Sequence, residues 1–320
     1  MGSGRLATPM KISVILCTFN RSQSLAKTLD TLAKSTLPES VEWEVLIIDN
    51  NSGDATREVA EEFCLRHAAH FRYIFEAKAG KSHALNRGIL EASGDVLAFT
   101  DDDVTVESTW IQNLTAHLNN GKCAGAAGRT LPERAFRTPN WLWPHRRHAL
   151  APLAIFDPTF GAGPLNEAPY GVNMAFQRRV FQEYGGFRTD LGPGLGRGIP
   201  GKSEDTEFGN RLLEAGEQLQ YEPSAIVYHA VPESRLRKEY FLAWWFDKAR
   251  ADRRSLGIPS GMGWTIAGVP LRLFARLGRW MLAWLVTIEP AQRFDRKINV
   301  WAICGEIVEC HRQSHAPTQR

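Results

Sequence analysis

Cysteine is scarce in this chain of 320 residues, and the five present, at positions 17, 64, 123, 304 and 310, are odd in number and follow no framework spacing. That excludes a disulfide-stapled scaffold and points to a reducing compartment. Cys304, Cys310, His311 and His315 fall close together, but their spacing matches no common zinc pattern, so ordinary thiols are the reading. Long apolar runs are missing as well. Residues 1–10 hold no apolar core of signal-peptide length and read as a flexible tail, and Leu6 stands where an N-myristoylation motif requires Ser or Thr. The most apolar late segment, 264–288, is interrupted by Arg272, Arg276 and Arg279, each costly at mid-bilayer, which argues against a spanning helix. No internal repeat is visible.

What is present suits a globular protein. With 43% apolar and 23% charged residues the chain has room for a sizeable core in one large or two modest domains. The net charge of +3 conceals an asymmetry, because residues 235–297 contain 13 Lys or Arg against 5 Asp or Glu, leaving the remainder net acidic. A basic, Trp-rich segment joined to an acidic body suggests an anionic membrane surface or an anionic substrate.

Apolar patterning predicts strands at 12–17, 43–48 and 71–75, helices at 22–34, 54–67 and 82–92, and a fourth strand formed by Val96, Leu97, Ala98, Phe99 and Thr100. This βαβαβαβ order, with continuous apolar strands such as Val45, Leu46, Ile47 and Ile48, argues for an α/β fold whose mainly parallel sheet is covered on both faces. Further elements are expected at 107–119 (helix), 124–129 (strand), 170–176 (strand), 178–184 (helix) and 204–215 (helix), with a last strand ending at His229. The aperiodic stretch 130–169 and the Gly-rich stretch 185–201 read as functional loops. Beyond Pro232 long basic helices are expected, at 236–256 and 264–288. The expected domains are therefore a tail (1–10), a catalytic unit (11–232) and a helical extension (233–320).

The fourth strand runs into Asp101, Asp102 and Asp103. Three adjacent carboxylates are either a solvated turn or a site for a hard divalent cation that shares its shell with substrate phosphates. Ligands of such sheets sit beyond the carboxyl ends of the strands, so Asp49, closing the second strand, and Asp101 to Asp103 open on one crevice. Residues 196–203 fit the phosphate-binding pattern G-x-x-x-x-G-K-S. No buried strand precedes them, and the only segment resembling the second acidic strand of that class lies upstream, which excludes a P-loop nucleotide hydrolase. In Ser203-Glu204-Asp205-Thr206-Glu207 the serine is a helix cap and the acids complement the helix dipole, while one carboxylate is also placed to act as a general base. Lys81 opens a helix whose N–H groups and ammonium suit phosphate. His229, ending the last strand, is a polar strand end or a metal-completing imidazole.

Five pieces in order resemble the family 2 glycosyltransferases of GT-A fold, over about two thirds of the chain. They are Val14-Ile15-Leu16-Cys17-Thr18-Phe19-Asn20-Arg21, then Val45-Leu46-Ile47-Ile48-Asp49-Asn50-Asn51-Ser52, then the stretch from Gly80 through Lys81 and Asn86 to Gly88, then Phe99-Thr100-Asp101-Asp102-Asp103, and Glu204-Asp205. The resemblance implies that Thr18, Asn20 and Asp49 meet the nucleoside and that Lys81 and Asn86 meet the base or diphosphate. It further implies that Asp101 and Asp103 hold Mn2+ or Mg2+ with His229 as a third ligand, that Asp102 lies near the ribose or metal, and that Asp205 is the base. The strand at 170–176 would lie under the donor sugar and the acceptor. The second strand ends in Asp49-Asn50-Asn51, where many members carry two acids.

The implied reaction moves a sugar from a nucleotide-diphosphate donor to a saccharide or lipid-linked acceptor with inversion. The alternative is a catalytically silent sugar-nucleotide-binding module. A nucleotidyltransferase is set aside because residues 17–20 lack the glycine of its first loop. The helices after Pro232 are expected to lie on anionic lipid, or else to pack on the catalytic unit or a homodimer partner. The expected location is cytoplasmic, peripheral on the membrane face if the basic segment meets lipid, with no nucleic acid partner.

Overall fold

Val14, Ile15 and Leu16, like Val45, Leu46, Ile47 and Ile48, have no exposed surface or almost none, as strands roofed by helices on both faces require. The computed structural model describes residues 10–118, 123–143, 146, 148–158, 160–196, 201–257 and 264–315; most of the tail at 1–10 and part of the P-loop-like stretch at 196–203 lie outside them. The first half is β1 (Lys11–Thr18), α1 (Ser22–Leu32), β2 (Glu42–Asp49), α2 (Thr56–Arg66), β3 (Phe71–Phe75), α3 (Lys81–Glu91) and β4 (Val96–Thr100). Next come β5 (Val104–Val106), α4 (Trp110–Thr115), β6 (Gly125–Pro132), β7 (Gly163–Leu165), β8 (Asn173–Gln177), α5 (Arg178–Tyr184), α6 (Glu204–Glu214) and β9 (Leu219–His229). The chain then becomes helical as α7 (Lys238–Leu256), α8 (Leu271–Val286) and α9 (Pro290–Ser314).

The strands form one sheet in the order β3-β2-β1-β4-β8-β6-β9-β5, with β7 on β9. β3, β2, β1 and β4 are parallel, as is the β6–β9 pair, while β8 runs against both of its neighbours. The expected α/β fold with a mainly parallel sheet and a C-terminal helical region is thus observed. One face is covered by Leu25, Leu29, Phe63 and Trp110, the other by Leu85, Phe181 and Phe208. Each such fully buried side chain contributes about 1.5–3 kcal/mol, and together they fix the strand ends on which the site is built.

Two local differences from the sequence reading matter. The helix expected at 107–119 is only the short α4, and between the aspartates and that helix lies β5, which pairs antiparallel with the end of β9 so that Val104 faces His229. A three-residue strand carries too little alternation to be read from sequence. Ser203 does stand at the start of α6, but in a left-handed conformation (φ 75°) and without capping through its side chain. Its hydroxyl instead donates to Asp252 of α7 at 2.9 Å.

The C-terminal helices turn back onto the body. Phe241 of α7 meets Trp141 edge-on at 5.3 Å, and Trp141 meets Phe294 of α9 at 4.8 Å. α7 and α9 cross closely at Gly305, where an added Cβ would stand 2.3 Å from the Phe246 carbonyl oxygen, so only glycine fits. Glu289 caps α9, its side chain accepting from the N–H groups of Ala291 (3.1 Å) and Gln292 (2.6 Å). On α8 one side packs through Leu273, while Leu271, Phe274, Met281, Leu282, Leu285 and Val286 remain exposed. No helix among the described residues is long and apolar enough to cross a membrane.

Candidate active site

The carboxyl ends of β1 and β4, the first turns of α3 and α6, the end of β9 and one side of α7 surround a crevice of about 730 Å³. Thr18, Lys81, Asp101, Asp102, Asp103, Asp205 and His229 all line it. Asn20, Asp49 and Asn86 do not. Asn20 sits in a left-handed turn (φ 53°), its side-chain oxygen accepting the Gly53 N–H at 2.7 Å and its own N–H donating to Ser52 at 2.9 Å. The turn after β1 is thereby clipped to the loop after β2. Asp49 is buried and accepts from the Tyr73 hydroxyl (2.9 Å) and the Ser52 N–H (2.9 Å). The Asn86 amide accepts the Phe187 N–H and donates to the Phe187 carbonyl, each at 2.8 Å, so its role is to fasten α3 to the loop before α6. Asn20 and Asn86 both bond backbone groups of neighbouring loops.

Lys81 is set by the turn before it. Gly80 adopts φ 123°, a region other residues rarely enter, and its N–H donates to Asn50 at 2.8 Å. From that anchored position Lys81 Nζ reaches Asp101 Oδ1 at 2.5 Å and Glu204 Oε1 at 3.9 Å. Burial works against the ammonium, but Asp101 and Glu204 hold it above the usual lysine range. Burial likewise works to raise Asp101, and Lys81 brings it below the ordinary carboxylate value, helped by His229 and Arg235. Two acids lack such compensation. Burial pushes Asp102 up to about 7, against the Thr18 hydroxyl and with the neighbouring charges of Asp103 and Asp101 adding to it. Glu204 rises to about 7 for the same first reason, with the Asp205 charge adding and Lys81 opposing.

Asp103 is faced by three nitrogen groups, His229 Nε2 at 3.5 Å, Arg235 Nη2 at 3.7 Å and Arg21 Nη1 at 4.0 Å. The β5–β9 pairing places Asp103 and His229 side by side, since Asp103 immediately precedes the strand whose first residue faces His229. Burial lowers the His229 pKa, with Asp103 opposing and Arg235 assisting, which favours the neutral imidazole that a metal ligand must be. Nε2 lies 3.4 Å from Arg235 Nη1 as well as beside Asp103, while the buried Nδ1 has no partner among the described residues.

These donors fit a hard divalent cation in type: two carboxylates and one neutral imidazole. They do not form a ready cage, since no group of three potential ligands converges among the described residues. Asp101 is turned to Lys81, and Asp103 is shared between two arginines.

Asp205 is held differently. Its Oδ2 accepts the Gly171 N–H at 2.8 Å and its Oδ1 the Thr206 N–H at 2.7 Å. Both bonds aim the carboxylate from the first turn of α6 toward the crevice wall it lines.

The model of glycosyl transferase family 2 matches residues 13–185. The chain belongs to that family. Succinoglycan biosynthesis protein ExoM of Rhizobium meliloti (strain 1021) is 29% identical over 239 residues, 73% of this chain and 70% of that protein. Glucosyl-dolichyl phosphate glucuronosyltransferase of Haloferax volcanii is 28% identical over 249 residues, 74% of this chain and 75% of that protein. The mannosyltransferase PcManGT from Pyrobaculum calidifontis, solved in complex with GDP-Man and Mn2+, resembles this chain with a TM-score of 0.56 at 18% identity, covering 96% of this chain and 76% of that one. At that identity the likeness is one of fold.

Within this glycosyltransferase, several crevice residues escaped sequence reasoning. Arg21 and Arg235 reach Asp103 from positions far apart in the chain. Tyr240, Trp244, Trp245 and Lys248 line the crevice from α7. The sequence signal for the latter group is the Trp and Lys content of 236–256, which suits a lipid surface and packing on the catalytic unit alike.

Proposed function

We propose that this glycosyltransferase moves a sugar from a nucleotide-diphosphate donor to an acceptor hydroxyl with inversion at the anomeric carbon. The observation that carries the reading is the meeting in one crevice of Asp101, Asp103 and His229 with the backbone-anchored carboxylate of Asp205. Thr18 and Lys81 would hold the nucleoside diphosphate and Asp102 would lie near its ribose, while Asp101, Asp103 and His229 would hold Mn2+ or Mg2+. Such an ion, when bound, neutralises charge on a diphosphate leaving group. Asp205 takes the proton of the acceptor hydroxyl. The acceptor oxygen then bonds to the anomeric carbon as the bond to the diphosphate oxygen breaks, its electron pair leaving with the diphosphate. One displacement from the opposite face inverts the centre.

The test is a screen of nucleotide sugars against the purified chain, read as release of nucleoside diphosphate with and without Mn2+. At least one donor should turn over, and only with the divalent ion. Donors that bind without turnover throughout would favour a silent binding module.

A lipid-linked acceptor is part of the proposal. The exposed face of α8 is apolar and its helix carries no acid, while Arg272 and Arg279 make no ion pair among the described residues. Nearby in sequence Trp264 and Ile288 are 85% and 91% exposed. Apolar residues bordered by arginine and tryptophan suit the interface of an anionic bilayer. The name of the Haloferax volcanii relative, glucosyl-dolichyl phosphate glucuronosyltransferase, agrees with an acceptor of that kind. In co-sedimentation with phosphatidylglycerol liposomes at low salt, most of the protein should pellet, and Leu282→Glu with Leu285→Glu should release it. Failure to pellet sinks the membrane reading, and a stable dimer in light scattering would assign the face to a second copy.

A further inference from the structure

The α7 wall of the crevice takes no part in the donor and base chemistry above, and its composition is that of a sugar-binding surface. Trp244 and Trp245 line the crevice on this helix, their rings meeting edge to face with centroids 5.0 Å apart. An indole face is electron-rich and receives the weakly positive C–H groups of a pyranose ring. One ring of this platform, that of Trp245, is held by a cation. Arg146 lies over the Trp245 ring at 4.6 Å and is itself paired with Asp295 of α9 at 2.5 Å. The indole N–H of Trp245 is buried and has no acceptor among the described residues.

Beside this platform is a cation with spare charge. Lys202 also lines the crevice, its Nζ 5.1 Å from the centre of the Trp244 ring. Lys248, on the same wall, is neutralised by Asp252 at 2.5 Å, whereas Lys202 makes no ion pair among the described residues. Burial draws its ammonium below the usual lysine range, with the more distant Glu204, Asp247 and Asp205 opposing. A partly desolvated cation in this position is stabilised by an anion that enters with the ligand.

We propose that the α7 wall is the acceptor subsite: Trp244 and Trp245 seat the sugar whose hydroxyl Asp205 deprotonates, and Lys202 binds an anionic group, phosphate or carboxylate, attached to that sugar. The assignment rests on the transfer reading given above and narrows it to acidic or phosphorylated saccharides. Trp244 and Lys202 set acceptor choice and leave the donor side alone.

Saturation-transfer NMR on the full chain, with UDP or GDP and Mn2+ present to fill the donor side, tests this with methyl glucoside, glucose 1-phosphate and methyl glucuronoside as probes. At least one anionic probe should bind about tenfold more tightly than the neutral glucoside, the equivalent of about 1.4 kcal/mol. The two anionic probes separate phosphate from carboxylate. Trp244→Ala should abolish binding of all three, Trp244→Phe should restore it, and Lys202→Ala should remove only the anionic advantage, with the melting temperature of each variant confirming that it folds. Equal binding of neutral and anionic probes, or a preference that survives both substitutions, overturns the proposal. Loss of UDP and GDP binding by the unaltered chain, measured separately by calorimetry, would count against the transfer reading instead.

Discussion

Asp205→Asn should leave nucleoside diphosphate binding within about twofold and lower sugar transfer by about 10²–10⁴-fold, the range a general base supplies. The substitution is nearly isosteric, so the crevice keeps its shape. What changes is proton affinity and one anchoring bond. Asp205 accepts two backbone N–H groups, from Gly171 and from Thr206, and an amide offers only one oxygen, so one of those donors must face an NH2 group. A structural anchor alone would therefore show as lost stability with partial activity, whereas a base shows as lost transfer with donor binding retained. Single-turnover product formation alongside calorimetry with UDP and GDP separates the two. Transfer surviving at about a tenth of normal or better removes Asp205 from the base role.

A comparable loss is expected from Asp103→Asn, by another route. Asp103 is the one acid that His229, Arg235 and Arg21 all approach within 4.0 Å. Without its charge the arginines remain beside the site proposed for a divalent cation. Nucleoside diphosphate binding should then lose its response to Mn2+, transfer should fall by at least about 10²-fold, and residual binding should become less sensitive to added metal. Chelation of the unaltered protein should reproduce the loss and added Mn2+ should reverse it. If Asp103→Asn still shows Mn2+-enhanced nucleotide binding, the ion is held elsewhere. Asp101→Asn provides a contrast, because it also frees Lys81 from its 2.5 Å contact, mixing metal effects with the release of a buried cation.

The parts of the fold that sequence made legible are those with strong periodicity. β1, β2 and β4 carry continuous apolar runs and β3 a shorter mixed one, separated by amphipathic helices, a pattern with one common three-dimensional solution. The crevice acids were legible because each ends a strand or begins a helix. The misreadings have physical causes. β5 is three residues long and takes its identity from its partner β9. The backbone bonds of Asn20 and Asn86 could not be read from their motifs, because the loops they fasten lie far off in the chain. Arg21 and Arg235 flank the same carboxylate because the sheet brings distant chain segments together, which no local pattern records. The charge of α7 suited a lipid surface and packing on the body alike; Phe241 packs it on Trp141, and Trp244 lines the crevice.

The antiparallel junction of β5 with the end of β9 has a consequence for how the molecule comes into being. The two halves of the site, Asp103 and His229, are separated by more than a hundred positions of chain, and the strand bearing the second half is the last of the sheet to leave the ribosome. Contacts of such long range form slowly because loop closure precedes any gain from them. A nascent chain can thus complete the β1–β4 layer while its acidic cluster still lacks the imidazole. Activity should arise as a late, all-or-none event in folding, and fragments ending before β9 should hold nucleotide poorly however well their first four strands are formed.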